Sequence, residues 1–362
     1  MTTFKLYGIW ERVLAQWLPD MRYTRRANLI WLIVGLYLSE KVQMSAIVKK
    51  WPIAVKVDSL TRRLSRFLDN PAIRPAVCYR PVARKLLARS VGQTVTLIID
   101  GTKISAGHQL IMVALAYKKR ALPVAWTWVP FVKGTVSAAT QIALLKRVQG
   151  LLPDSAQVIL VGDSGFASIA LLRQLEAWHW GYAVRQMGRY LFQRSEQADW
   201  ARLDTLVTAV GQRVWIAAAR FTLKQQHPTA LLAYWAADEP KPWLLTTNLP
   251  SAYAARQAYA RRMWIEEMFG DWKGHGWDVE TTHLRDPDRL SRLILALSLL
   301  YIWLVFYGAR LIKAGLRNWV DRNDRRDLSL FRIGLDTLQR CFTLCRLSLI
   351  PLPSLVGGPS VR

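Results

Sequence analysis

Acidic residues are scarce in this chain. Its 362 residues carry 25 Asp and Glu against 50 Lys and Arg, a formal charge of +25. A field of that sign favours polyanions, chiefly nucleic acid, with an anionic membrane surface as the main competitor. Cysteine is nearly absent as well. Cys78, Cys341 and Cys345 are an odd number, so nothing suggests a disulfide framework, and a reducing cytoplasm is expected. Cys341-x3-Cys345 lies in an apolar helical pattern with no matched His or Cys pair nearby, which points to buried packing rather than zinc. The opening M-T-T-F-K-L-Y-G has no apolar stretch of signal-peptide character. Long uncharged runs are few. Residues 293–309 form one, seventeen residues between Arg292 and Arg310. That is the bottom of the membrane-spanning range, and arginine on both sides gives no topological asymmetry, so a buried core or subunit-contact helix is expected. The run Leu29–Leu38 is too short to span.

The remaining composition, 52% hydrophobic and 21% charged, describes a globular protein with a large core. Its positive charge is uneven. Residues 1–90 hold 17 Lys and Arg against 5 Asp and Glu, almost half of the net charge. This region reads as helical over Trp10–Trp17, Ala27–Glu40, Ser45–Lys49 and Ser59–Leu68, the last with Asp58 as candidate N-cap. Leu60, Leu64 and Phe67 or Leu68 lie on one side of that helix, with Arg62, Arg63 and Arg66 on the other. An arginine face of this kind suits contact with DNA phosphates; the plainer reading is a solubilising basic face.

From residue 91 the periodicity changes. Thr94–Asp100, Gln109–Tyr117 and Leu122–Pro130 read as three strands, followed by a helix at Ala138–Val148, a strand at Gln157–Gly162, a helix at Ala167–Trp178 and a strand at Tyr182–Gln186. Three antiparallel strands followed by alternating helix and strand is the order of a ribonuclease H-like α/β domain, in which the first and fourth strands are neighbours. Between residues 91 and 184 the acids are only Asp100, Asp154, Asp163 and Glu176. Asp100 and Asp163 each close an apolar strand beside a glycine, so the order of elements would bring both to one edge of the sheet.

A helix expected over Ala252–Trp272 carries the third acid of interest. Tyr259, Arg262, Glu266 and Lys273 are spaced Y-x2-R-x3-E-x6-K, and at roughly 100° per residue they fall within about 60° of one another. A solvated face with an ordinary Arg262–Glu266 pair is the plain reading. Two strand-end aspartates and a helix glutamate can also form an all-oxygen site for Mg²⁺ or Mn²⁺, holding two ions roughly 4 Å apart for phosphodiester chemistry.

The spacing of Tyr259, Arg262, Glu266 and Lys273, with I-I-D-G-T-K at Asp100 and G-D-S-G-F at Asp163, resembles the insertion sequence 4-like DDE transposases of bacteria from about residue 55 to residue 310. The resemblance implies that Asp100, Asp163 and Glu266 are catalytic and hold two Mg²⁺ (or Mn²⁺) ions. It further implies that Tyr259, Arg262 and Lys273 hold phosphates of the transposon end, and that the N-terminal helices bind DNA. The implied activity is cut-and-paste transposition through a hairpin, with a homodimer acting on double-stranded DNA in the cytoplasm. The expected partners are terminal inverted repeats and target DNA.

Three regions follow: a helical basic region at 1–90, a catalytic domain at 91–284 with a β-rich insertion at 187–250, and a helical region at 285–362. In relatives the insertion grips the transposon end. Trp200, Trp215, Trp235 and Trp243 are candidates to stack on an unpaired base or to pack in the core. Members of the family often show Trp directly after the motif arginine, where this chain has Met263 and then Trp264. His275 and His283 are too far apart for a helical metal pair. A helix is expected over Leu328–Leu349, and Pro351, Pro353 and Gly357-Gly358 suggest a frayed end. A ribonuclease H-like nuclease without transposition, a non-catalytic DNA-binding protein and a membrane-associated protein are the competing readings.

Overall fold

The computed structural model describes residues 2–88, 92, 94–105, 107–131, 136–194 and 199–344, and within it six helices precede the first strand. They are α1 (Thr2–Trp17), α2 (Tyr23–Ser39), α3 (Met44–Val48), α4 (Val57–Asp69), α5 (Pro75–Cys78) and α6 (Arg80–Ala88). The amphipathic pattern of α4 behaves as its spacing predicts, burying Leu60, Leu64, Phe67 and Leu68. Its cap does not: the N-cap residue is Lys56, and Asp58 sits in the first turn without capping it. An acid there still complements the helix dipole.

Strands β1 (Thr94–Ser105), β2 (His108–Tyr117) and β3 (Arg120–Pro130) form an antiparallel meander. Gly107, at φ +86°, lies in the first turn. Lys118 and Lys119 make the second with φ of 44° and 62°, a mirror-image turn built without glycine, so β3 starts two residues before its apolar pattern suggests. Next come α7 (Ala138–Gln149), β4 (Gln157–Gly162), α8 (Ile169–Ala177) and β5 (Gly181–Arg185). β4 lies parallel to β1 and β5 parallel to β4. This is the ribonuclease H-like arrangement expected from the element order.

The strands from residues 187–250 extend the same sheet. β6 (Leu191–Arg194), β7 (Ala201–Arg202), β8 (Arg213–Phe221), β9 (His227–Tyr234) and β10 (Trp243–Thr247) complete ten strands in the order β3-β2-β1-β4-β5-β10-β9-β8-β6-β7. β10 pairs antiparallel with β5, so the added strands are hydrogen-bonded to the core sheet. Thr247 in β10 donates its hydroxyl to the Tyr182 carbonyl at 2.6 Å, reinforcing that seam.

Four helices close the fold: α9 (Ala252–Ala260), α10 (Met263–Trp272), α11 (Pro287–Lys313) and α12 (Leu330–Thr343). α11 contains the long uncharged run and is long and apolar enough to cross a membrane, yet 94% of its most apolar window is buried inside the protein. Its Trp303 meets Trp10 of α1 with ring centroids 5.2 Å apart. Arg292 of α11 is also buried, donating to the carbonyls of Leu68 (2.8 Å) and Ile73 (3.0 Å), at the end of α4 and just past it. The N-terminal helices thus share one core with the C-terminal ones. α12 crosses α11 where Gly308 faces Gly334: a Cβ on Gly308 would run into the Leu330 carbonyl, and one on Gly334 into that of Leu304. Cys341 is buried in α12, as packing predicts, while Cys345 and the expected frayed end lie outside the described residues.

Candidate active site

The register of two parallel strands builds the centre. Ile99 is paired with Gly162, so Asp100 is the next residue along β1 and Asp163 the first past the end of β4. Gly162 packs closely against Ile99 and Phe166, and a Cβ at Gly101 would push aside the ends of the Gln109 and Ile111 side chains. Asp100 accepts the Gly101 N–H at 2.7 Å, and Asp163 accepts the Gly165 N–H at 2.8 Å, capping a single helical turn at Ser164–Phe166. Gln141 of α7 steadies that turn by donating to the Gly165 carbonyl at 2.9 Å. Burial pushes the Asp100 carboxyl up to about 7, the negative charge of Asp163 adds to this, and Arg262 acts against it. Two hard oxygen donors are therefore set together with too little positive charge around them.

Arg262 supplies the positive charge that acts on Asp100. Its Nη1 lies 3.3 Å from Asp100 Oδ2 and its Nη2 lies 2.5 Å from Glu266 Oε1. One guanidinium thus bridges the strand acid and the helix acid. Among the described residues no group of three His, Cys, Asp or Glu is close enough to hold a metal ion as it stands. The chemistry of the Asp100–Asp163 pair nevertheless fits a hard divalent cation, which protein sites commonly hold by one or two carboxylates with substrate phosphates completing the shell.

The single helix expected over Ala252–Trp272 is two helices. Between α9 and α10 the backbone closes short-range bonds, Arg261 N–H to Ala258 O at 3.2 Å and Arg262 N–H to Tyr259 O at 2.8 Å. The tighter turns part the two helices yet leave Tyr259, Arg262 and Glu266 together, while Lys273, past the end of α10, leaves the expected common face. Arg261 fastens the junction to β1 by donating to Thr96 Oγ1 at 2.5 Å. Tyr259 is buried against Trp243, ring centroids 5.0 Å apart, and burial pushes its hydroxyl up to about 12. The Arg262 guanidinium lies 6.0 Å from the Tyr259 ring centroid, so Tyr259, Arg262 and Glu266 form one cluster with Asp100. Lys273 is engaged elsewhere. It begins a π-helical turn at Lys273–Trp277 and pairs with Glu280 at 2.7 Å.

The family model described as Transposase DDE domain matches residues 92–303. The chain belongs to the DDE transposase family. No curated protein matches it. Eight chains of solved structures do, among them the piggyBac transposase in a synaptic complex with hairpin DNA. That structure is 12% identical with a TM-score of 0.46, over 95% of this chain and 79% of the other.

In this DDE transposase the N-terminal arginines divide. Arg62 and Arg66 are exposed, whereas Arg63 is half-buried, donating to Asn28 Oδ1 at 2.7 Å and lying 5.8 Å from the Trp51 ring centroid. The arginine face of α4 is thus narrower than its spacing suggests. Trp243 is used in packing, and Trp235 donates to the Glu239 carbonyl at 3.1 Å. Trp215 lines an open pocket of about 420 Å³ beside a bulge in β8. His275 and His283 both lie exposed at the surface.

One group has no counterpart in the sequence motifs. Arg120 at the start of β3 pairs with Asp271 at 3.1 Å and Glu267 at 3.3 Å, and Tyr301 of α11 donates to Asp271 at 3.0 Å. This network ties α10 to β3 and to the central helix. A polar residue within the apolar α10 pattern, four positions after Glu267, is its one local signal.

Proposed function

We propose that the chain is a cut-and-paste DNA transposase of the insertion sequence 4-like group, cleaving transposon ends with Asp100, Asp163 and Glu266. The supporting observation is the β1–β4 register, which makes Asp100 and Asp163 neighbours, with Glu266 tied to Asp100 through Arg262. Asp100 and Asp163, with Glu266 as a further ligand, would hold Mg²⁺ or Mn²⁺, which would supply Lewis-acid activation and charge neutralisation for phosphodiester cleavage. Arg262 balances the carboxylates in the absence of substrate. When a DNA phosphate arrives, its planar fork turns from Glu266 to the phosphate, freeing the carboxylate and gripping the strand bidentately. Tyr259 keeps Arg262 in place from below, and Lys273, released from Glu280, adds a second phosphate contact. The exposed Arg62 and Arg66 touch the duplex backbone. End processing through a hairpin and action as a homodimer complete the reading.

A duplex carrying the sequences that flank the reading frame tests it. With Mg²⁺, strand cleavage at terminal inverted repeats and joining of the new 3′-hydroxyl to a second duplex are expected. Cleavage with no preference for those ends would favour a ribonuclease H-like nuclease without transposition instead.

A further inference from the structure

A pocket of about 320 Å³ opens beside the edge strand β3, away from the Arg262 bridge. Its walls are α5 and α6 on one side and the C-terminal turn of α7 on the other; its floor is β3 around Trp126. Arg80 and Arg84 line it from one wall, Lys146 and Arg147 from the other. No acid lines it, and among the described residues none of these four cations is paired with a carboxylate.

The end of α7 attracts cations through its dipole, which explains Lys146 and Arg147 alone. It does not explain Arg80 and Arg84, four residues apart near the beginning of α6, where the dipole is unfavourable to them. Two helices thus present like charges on the two walls of one cleft, an arrangement that suits an anion.

The floor is rigid. Tyr79 donates to the Pro123 carbonyl at 2.7 Å and its ring meets Trp126 at 5.1 Å, while Arg147 reaches the Trp126 carbonyl at 3.3 Å. Register connects the cleft to the acids. Asp100 is opposite Met112, and Met112 is opposite Trp126, so the three side chains leave the same face of the sheet. Two strand spacings separate the first from the last, about 10 Å. Met112 and Trp126 are buried, so the cleft and the acids are joined through packed core and open separately to the surface.

We propose that this cleft is an anchoring site for the phosphodiester backbone of DNA, holding it by charge and without reading sequence. The proposal rests on the transposase reading only for its choice of DNA as the phosphate source. A free phosphate or small phosphorylated molecule has the same chemistry and is the alternative source.

The test is duplex binding by the full-length protein without divalent ions, followed by fluorescence anisotropy over a sodium chloride series. Arg80→Ala/Arg84→Ala is expected to weaken binding on every sequence alike and to lower the slope of log K against log salt by about 2, near 0.9 for each phosphate no longer neutralised. Arg80→Lys/Arg84→Lys keeps the charge and is expected to restore most of that slope, which separates charge from an effect on folding. An unchanged slope in the alanine variant overturns the proposal. So does competition in which millimolar inorganic phosphate displaces DNA from the wild type beyond its ionic strength, but not from the alanine variant, since that assigns the cleft to small phosphates. Because no cleavage is measured, failure here leaves the cleaving site untouched, and an inactive protein leaves this result standing.

Discussion

Arg262 donates to Asp100 across 162 positions of sequence, Nη1 to Oδ2 at 3.3 Å, while its other nitrogen holds Glu266. Both side chains of the Asp100–Arg262 pair are only 11% exposed, so removing one leaves a charge with little water around it. Arg262→Ala is expected to destabilise the metal-free protein by about 3 kcal/mol. Added Mn²⁺ should recover more stability in the variant than in the wild type, because nothing competes with it for the carboxylates. Thermal unfolding with chelator and with Mn²⁺ measures both. Equal Mn²⁺ shifts in the two proteins would show that Arg262 does not stand in for a cation.

Lys273 distinguishes a DNA-binding role from a structural pair. If it serves DNA, Lys273→Ala weakens duplex binding severalfold and lowers the salt slope by about 1, whereas Glu280→Ala, which frees the ammonium, leaves binding equal or tighter. If the Lys273–Glu280 bond at 2.7 Å is only structural, the two variants lose stability alike and bind alike. Anisotropy and thermal midpoints on both variants decide it.

The crossing of α11 and α12 admits no side chain at Gly308 or Gly334. Gly308→Ala is expected to cost about 1–3 kcal/mol through overpacking, despite the better helix propensity of alanine. Denaturant unfolding measures this, and a variant as stable as the wild type would mean that the two helices do not approach so closely.

Asp271 makes stability depend on pH. Burial pushes its carboxyl up to about 6, with Arg120 and the Tyr301 hydroxyl working the other way. The folded protein therefore holds this proton more tightly than the unfolded chain, and the corresponding stability, present below about pH 4, is lost as pH rises to about 6. Relative to Asp271→Asn, the wild type should lose about 3 kcal/mol over that range. Parallel pH profiles of the two proteins would contradict the shift.

Much of the centre was legible because local patterns carried it. Apolar β-branched runs ending at Asp100 and Asp163 mark buried strands, and the order of elements makes them neighbours. What was hidden depends on backbone detail or on distant partners. The short-range bonds at Arg261 and Arg262 split a helix whose residues are all compatible with continuing it. The Arg62, Arg63 and Arg66 face looked uniform, but Arg63 turns toward Asn28 because α2 lies beside α4. The strands of residues 187–250 gave no sign of their partner: β10 joins β5 across about sixty residues, a pairing that neither strand's own pattern encodes. The Arg120–Asp271–Tyr301 network joins three elements that lie far apart in the sequence.

The most direct measurement replaces each acid in turn by its amide. Asp100→Asn, Asp163→Asn and Glu266→Gln, assayed on DNA bearing the flanking ends with Mg²⁺ or Mn²⁺, should each lower strand cleavage by at least about a hundredfold. Duplex affinity measured without divalent ions should stay within a few-fold of the wild type. Cleavage at the wild-type rate by any one of the three would remove that residue from the site and contradict the account.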